Sequence, residues 1–220
     1  MEQDGEAYSV NITSQCRKRT NLTAMQIEHL KRIEISLPFV ADLAHAYLYL
    51  YVQTKEPGKM LVLKHYRPHT FFSEVELTGE GAFVSTLEEP LIAAAFAKGK
   101  FIQGQREWRF GINLEMYVQP IKCGNDVIGV VSLETGHSYA NSSNYHQLMD
   151  TALYLLDYAK KPLDKDEFHP MSPGTGIIIA DSNNRIVFAN LSSNRIYRAL
   201  GIASLVGCRM QDRELSAMLH

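Results

Sequence analysis

The chain has 220 residues, enough for one large domain or two small ones. It is 45% hydrophobic and 21% charged, a balance that excludes a disordered tail, a fibre or a collagen. Lys and Arg number 22 against 24 Asp and Glu, and a net charge of −2 argues against a nucleic-acid binder that works by neutralising phosphates.

Residues 1–19 are polar without a sustained period and read as a flexible arm. Their start, MEQDGEAYSV, lacks the basic and apolar regions of a secretory signal. Without such a signal the glycosylation patterns Asn11-Ile12-Thr13 and Asn21-Leu22-Thr23 read as chance. Arg17-Lys18-Arg19 is the one basic run and reads as a solvated patch. From Thr20 the pattern turns helical, with Leu22, Ile27, Leu30, Ile33 and Leu37 recurring three to five apart. Pro38 splits the segment into two helices, the second running through Asp42.

Ala46–Val52 alternates strictly, with Ala46, Leu48, Leu50 and Val52 on one face and Tyr47, Tyr49 and Tyr51 on the other. Neither face is polar, so both are expected to be covered. A turn at Glu56-Pro57-Gly58-Lys59 leads into a returning strand, Met60–Tyr66. Arg67–Gly81 is irregular. Pro90 opens a slim alanine-rich helix, Leu91–Ala97, and Gly99 ends it. Lys100–Gly111, with its spaced glycines, reads as a loop carrying Trp108. Leu114–Ile121 and Val127–Leu133 form a second hairpin around the Cys123–Asp126 turn. Ser138–Lys161 is the longest helical pattern, with Tyr145, Leu148, Met149, Ala152, Leu156 and Ala159 on one stripe. Residues 162–174, rich in proline and charge, read as a linker. A third hairpin, Gly176–Ala180 with Arg185–Ala189, follows, and Asn190 caps a helix, Leu191–Leu200.

No stretch approaches the ~18–20 apolar residues of a membrane span. The three cysteines, Cys16, Cys123 and Cys208, lie far apart and read as reduced thiols rather than a disulfide framework or a zinc knuckle. His65 and His69 have a metal-like spacing, but Pro68 and the strand pattern oppose a helical pair. No hydrolase, zinc-protease, phosphate-loop or dinucleotide motif is present.

Several pieces in order carry a family resemblance. They are Ala41-Asp42-Leu43, Tyr47–Val52, Tyr66-Arg67-Pro68-His69-Thr70, Glu89-Pro90-Leu91-Ile92, Val118-Gln119-Pro120-Ile121 and Val127-Ile128-Gly129-Val130-Val131. Residues 27–136 thereby resemble the GAF-type sensory domain of soluble sensor histidine kinases of the PdtaS/EutW type. Ile179-Ala180-Asp181, Arg185–Asn190 and Leu205-Val206-Gly207 resemble the opening of a PAS domain. The resemblance implies an α+β fold: a GAF-like antiparallel sheet with flanking helices over 20–161, a linker over 162–174 and a partial PAS domain over 175–220. The tail of about 45 residues is near the size where domains stop folding alone, so it is expected to pack on the first domain, pair with a second chain or lack order.

A GAF fold has helices on one face of its sheet and a pocket on the other. Here the helices Thr20–Asp42 and Ser138–Lys161 would cover one face, and Ala93–Phe96 with the Trp108 loop would close the other. Tyr49, Tyr51, Phe83, Phe96, Trp108, Arg109, Glu115 and Tyr117 are candidate ligand contacts, each with plain core as the alternative. Glu115 beside an aromatic would suit a small amine. No catalytic or metal-ligating residue and no cofactor is expected in this chain. The kinase core implied by the resemblance lies outside it, would use ATP and would phosphorylate a response regulator. The expected partners are a second copy, paired through Thr20–Leu37 and Ser138–Lys161, and an unknown small molecule, with no direct nucleic acid and no membrane. The expected location is the cytoplasm. The alternative is the sensory part of a GAF-containing transcription regulator.

Overall fold

The computed structural model describes residues 11–68, 78–109, 111–136, 145–159 and 176–210. His69, the start of the long helical pattern at 138–144 and the linker at 162–174 lie outside the described residues.

The arm is shorter than expected, because Ile12–Arg19 forms helix α1. Asn11 caps it, its side chain accepting the Ser14 N–H at 3.1 Å. Only Ile12 and Cys16, one turn apart, are buried, so the helix shows no visible period and depends on tertiary packing. Arg17, Lys18 and Arg19 occupy its last turn, where cations offset the helix dipole. Arg19 also lies over the Phe83 ring at 4.8 Å and donates to the Gly81 carbonyl at 2.8 Å.

Helix α2 (Ala24–Glu34) starts in a capping box formed by Thr23 and Gln26 and buries Ile27, Leu30 and Ile33. Helix α3 (Leu37–Ala44) has Pro38 in its first turn, so the sequence break at this proline is real. Two strands follow, β1 (Tyr47–Gln53) and β2 (Lys59–Tyr66), paired as a hairpin with a bulge at Leu50/Tyr51. Next come β3 (Phe83–Ser85), α4 (Pro90–Lys98), β4 (Ile102–Arg109), β5 (Ile112–Cys123), β6 (Asp126–Gly136) and α5 (Tyr145–Ala159). The six strands form one antiparallel sheet in the order β3-β2-β1-β6-β5-β4.

Two apolar layers sandwich the sheet. Ala46, Leu48, Leu50 and Val52 join Leu30, Leu43, Met149 and Ala152 under helices α2, α3 and α5. Tyr47, Tyr49 and Tyr51 join Met116, Val118 and Val130 under Ile92, Ala95 and Phe96 of α4. The alternation of β1 therefore has both faces covered, as its apolar pattern demands.

Strand β4 corrects the loop expected at Lys100–Gly111. It alternates correctly, with Ile102, Gly104 and Arg106 half-buried and Gln103, Gln105 and Glu107 exposed. A glycine and an arginine stand at inward positions, so hydropathy hides the period. Gly104 is there because Leu91 of α4 would come within 2.9 Å of any Cβ. Pro120 lies in β5 past Val118, where the ladder to β4 ends, so this part of the strand is paired in the sheet with β6 alone.

Strands β7 (Ile178–Ala180) and β8 (Ile186–Ala189) form a separate two-stranded sheet, followed by α6 (Leu191–Ala199). Asn190 caps α6, accepting the Ser193 N–H at 2.9 Å, and also accepts the Ile177 N–H at 3.0 Å. Ile186 and Leu205 centre a small core with Ile178, Tyr197 and Ile202. Phe188 turns the other way and is buried in the large core beside the helices.

At Gly129 of β6, α2 lies close on the sheet: a Cβ would stand 3.1 Å from the Leu30 side chain and 3.2 Å from the Tyr51 carbonyl oxygen. Gly129→Ala is expected to lower stability by about 1–3 kcal/mol in chemical denaturation. An unchanged midpoint would show that α2 yields without cost.

Candidate functional site

The sheet face opposite the long helices is apolar except at one end. There, three charged side chains from three elements meet. Arg106 of β4 holds Glu89, at the N-cap of α4, with one terminal nitrogen and Glu134 of β6 with the other. Ser132 donates its hydroxyl to the remaining Glu134 oxygen at 2.9 Å. Register brings this about: Tyr49 of β1 stands opposite Ser132, and Tyr47 and Met116 flank Glu134 on the two neighbouring strands. Tyr51 continues the row, its ring 6.0 Å from that of Tyr49, while His65 of β2 lies 6.2 Å from Tyr49 on the other side.

Glu134 is 1% exposed. Burial lifts its carboxyl to about 7, although Arg106 pulls the other way. Burial likewise raises Glu89, again against Arg106. Burial opposes the Arg106 charge, but Glu134 and Glu89 together overcome it and raise its pKa. Tyr49 is pushed up to about 12, by burial first and the Glu134 charge second, and Tyr51 is raised further by the same causes. Both phenols stay protonated at any physiological pH and can donate hydrogen bonds. The arginine Nε is buried with no partner among the described residues. Two carboxylates thus share one guanidinium, leaving a net negative charge that one proton would cancel.

Of the residues expected from sequence, Tyr49, Tyr51 and Phe96 belong to this layer. Tyr117 belongs to the helix-side core instead. Phe83 is half-exposed at the sheet edge under Arg19. Glu115 meets Gln105 across the strand pair at 2.5 Å, away from the charged cluster. Trp108 and Arg109 end β4, and their side chains lie outside the described residues. Glu89, Arg106, Ser132 and Glu134 are not among the candidate contacts expected from sequence. Their signal was present: Val130, Ser132 and Glu134 continue one face of β6, and a carboxylate inside an apolar strand is seldom there without a partner.

A separate groove of about 570 Å³ lies at the other end of the sheet, between Gln26, Thr54, Lys98, Lys122 and Asp126. It is open and polar, and it holds none of the charged cluster. Among the described residues no group of His, Cys, Asp and Glu is gathered to hold a metal. Burial pushes the Cys16 thiol up to about 11, which makes it unreactive. No helix among the described residues is long and apolar enough to cross a membrane.

An antiparallel six-strand sheet with long helices on one face and a short helix across the other is the architecture of a GAF-type sensory domain. Residues 12–152 match the family model described as the GAF domain of the histidine kinase PdtaS. That is more than half of the chain, and the chain belongs to this family. A solved structure described as the sensor region of a sensor histidine kinase is 20% identical, with a TM-score of 0.60 over 91% of this chain and 73% of that one. The C-terminal domain of a transcriptional regulator from Vibrio cholerae is 11% identical, with a TM-score of 0.45 over 59% of this chain and 94% of its own. The GAF domain of an Acinetobacter phosphoenolpyruvate-protein phosphotransferase is 14% identical, with a TM-score of 0.37 over 63% and 94%. No curated protein sequence matches the chain.

Glu134 links stability to pH. Its native carboxyl, at about 7, holds a proton more tightly than the unfolded chain does at 4.5. The resulting stabilisation is full below pH 4.5 and is lost as pH rises through 7. Glu134→Gln removes this term. Relative to the variant, the native protein is expected to lose about 2–3 kcal/mol between pH 5 and pH 8 in denaturant titrations. Parallel pH profiles for the two proteins would refute the assignment.

Proposed function

We propose that this chain is the signal-sensing part of a soluble two-component histidine kinase, and that it takes up a small molecule on the sheet face lined by Tyr49, Tyr51 and Glu134. The buried Arg106–Glu89–Glu134 cluster carries the reading. Burying ionised groups costs several kcal/mol, and apolar residues of similar size are often as stable or more so. Ions in an otherwise apolar layer are therefore poorly explained by stability. They supply the few placed polar groups that a ligand pocket needs. Two tyrosine hydroxyls beside them add neutral donors.

On this reading the chain itself catalyses nothing. It acts by shifting the population of two arrangements of its helices. Two copies pair through the outer faces of α2 and α5, where Met25 and Tyr154 are exposed, and ATP and a response regulator belong to a kinase core outside this chain. The unit at 176–210 is the opening part of a PAS domain, joined through 162–174. The likeness to a sensor region over 91% of the chain supports that arrangement, because it extends well beyond residue 152. The protein then works in the cytoplasm.

The test is a thermal-shift screen of small metabolites, including amines and cyclic nucleotides. A ligand at one hundred times its Kd is expected to stabilise the chain by about 2.7 kcal/mol. Glu134→Gln is expected to abolish that shift. A ligand whose shift survives in the variant binds elsewhere and would overturn the site.

A further inference from the structure

Helix α3 ends at His45, which takes a left-handed conformation with φ 47° and ψ 44°. A residue with a Cβ is strained there by about 1–2 kcal/mol, and glycine is the usual occupant. Three contacts hold His45 in place. Its N–H reaches the carbonyls of Ala41 and Asp42. Its own carbonyl accepts the Thr135 hydroxyl at 3.2 Å. Its ring meets Phe188 edge-on, with centroids 5.2 Å apart. Phe188 belongs to β8 and is 5% exposed. Ile177 and Ile179, on the other side of that hairpin, pack against the same large core.

His45 connects to the charged cluster by two routes. Thr135 follows Glu134 on β6, so one strand presents the carboxylate to one face and the hydroxyl to the other. Tyr47, two residues beyond His45, stands directly opposite Glu134. A glycine at position 45 would remove the strain, but it would also remove the ring that Phe188 meets. Strain of this kind persists where surrounding structure over-determines it, and it gathers at switches.

We infer that the His45–Phe188 contact couples the Glu134 site to the hairpin β7–β8, so that a change of charge or hydrogen bonding at Glu134 alters how firmly that hairpin is held on the sensor domain. This rests on the reading that the Glu134 face is the sensing face. The physical element is a packed aromatic pair on a strained corner, biased from Glu134 through one peptide of β6 and through Tyr47 at the start of β1.

The test is hydrogen exchange of the full chain, read at the amides of residues 178–180 and 186–189. Glu134→Gln is expected to change their exchange rates by at least about threefold, a coupling within the range found for connected residues. In Phe188→Leu and in His45→Gly, Glu134→Gln should leave these rates unchanged. The glycine suits the left-handed corner, so that variant folds, and unaltered exchange in α2 verifies it. The coupling is overturned if Glu134→Gln leaves the hairpin amides unmoved, or if its effect persists in both contact variants. The experiment uses no ligand, so failure of every metabolite in the thermal screen does not decide it. A ligand shift lost in Glu134→Gln, with hairpin exchange unmoved, would sink the coupling and keep the sensing face.

Discussion

The side chains of β1 alternate between two apolar layers, and Tyr47 to Val52 are all buried. A strand with no solvent face must lie inside its sheet, which puts β2 on one side and β6 on the other. It must also be roofed twice. Helices α2, α3 and α5 cover the aliphatic side, and α4 covers the tyrosine side. Each large side chain buried in this way contributes about 1.5–3 kcal/mol relative to exposure. The two layers and the inner place of β1 in the sheet follow from that one strand.

The charged cluster is the exception within this apolar scheme. Arg106, Glu89 and Glu134 come from an edge strand, a helix start and a central strand, and they sit where the tyrosine layer ends. Removing water strengthens their mutual attraction, but it also penalises each charge. The outcome is visible in Glu134, whose carboxyl sits at about 7 despite a guanidinium in contact. A second buried ionic group, Lys64 between Glu34 at 3.4 Å and Glu80 at 3.1 Å, ties α2 to the stretch before β3. That group lies on the helix side and has no tyrosine row beside it.

The hairpins, the proline break before α3, the cap at Asn190 and the stop at Gly99 were all legible, because each rests on local chemistry: alternation, a missing N–H, a side-chain acceptor, a positive φ. Helix α1 and strand β4 were not. Ile12 and Cys16 are too few to show a period, and β4 turns a glycine and an arginine inward. The same cause hid the cluster. Reading Lys100–Gly111 as a loop removed Arg106 from any face, and ending the strand at Leu133 left Glu134 outside it.

The sequence by itself determined most of the element types, the two-faced burial of β1 and an ordered set of pieces that resembles a GAF sensory domain. These depend on residues near one another in the chain. Tertiary structure alone decided which charges meet. Glu89, Arg106 and Glu134 are 17 and 28 residues apart, and only the antiparallel register and the seat of α4 on Gly104 bring them together. It also decided that Phe188, from the second hairpin, closes on the strained corner at His45. Electrostatic and aromatic contacts act over a few ångströms of space, whatever the length of chain between the partners, and no local pattern records them.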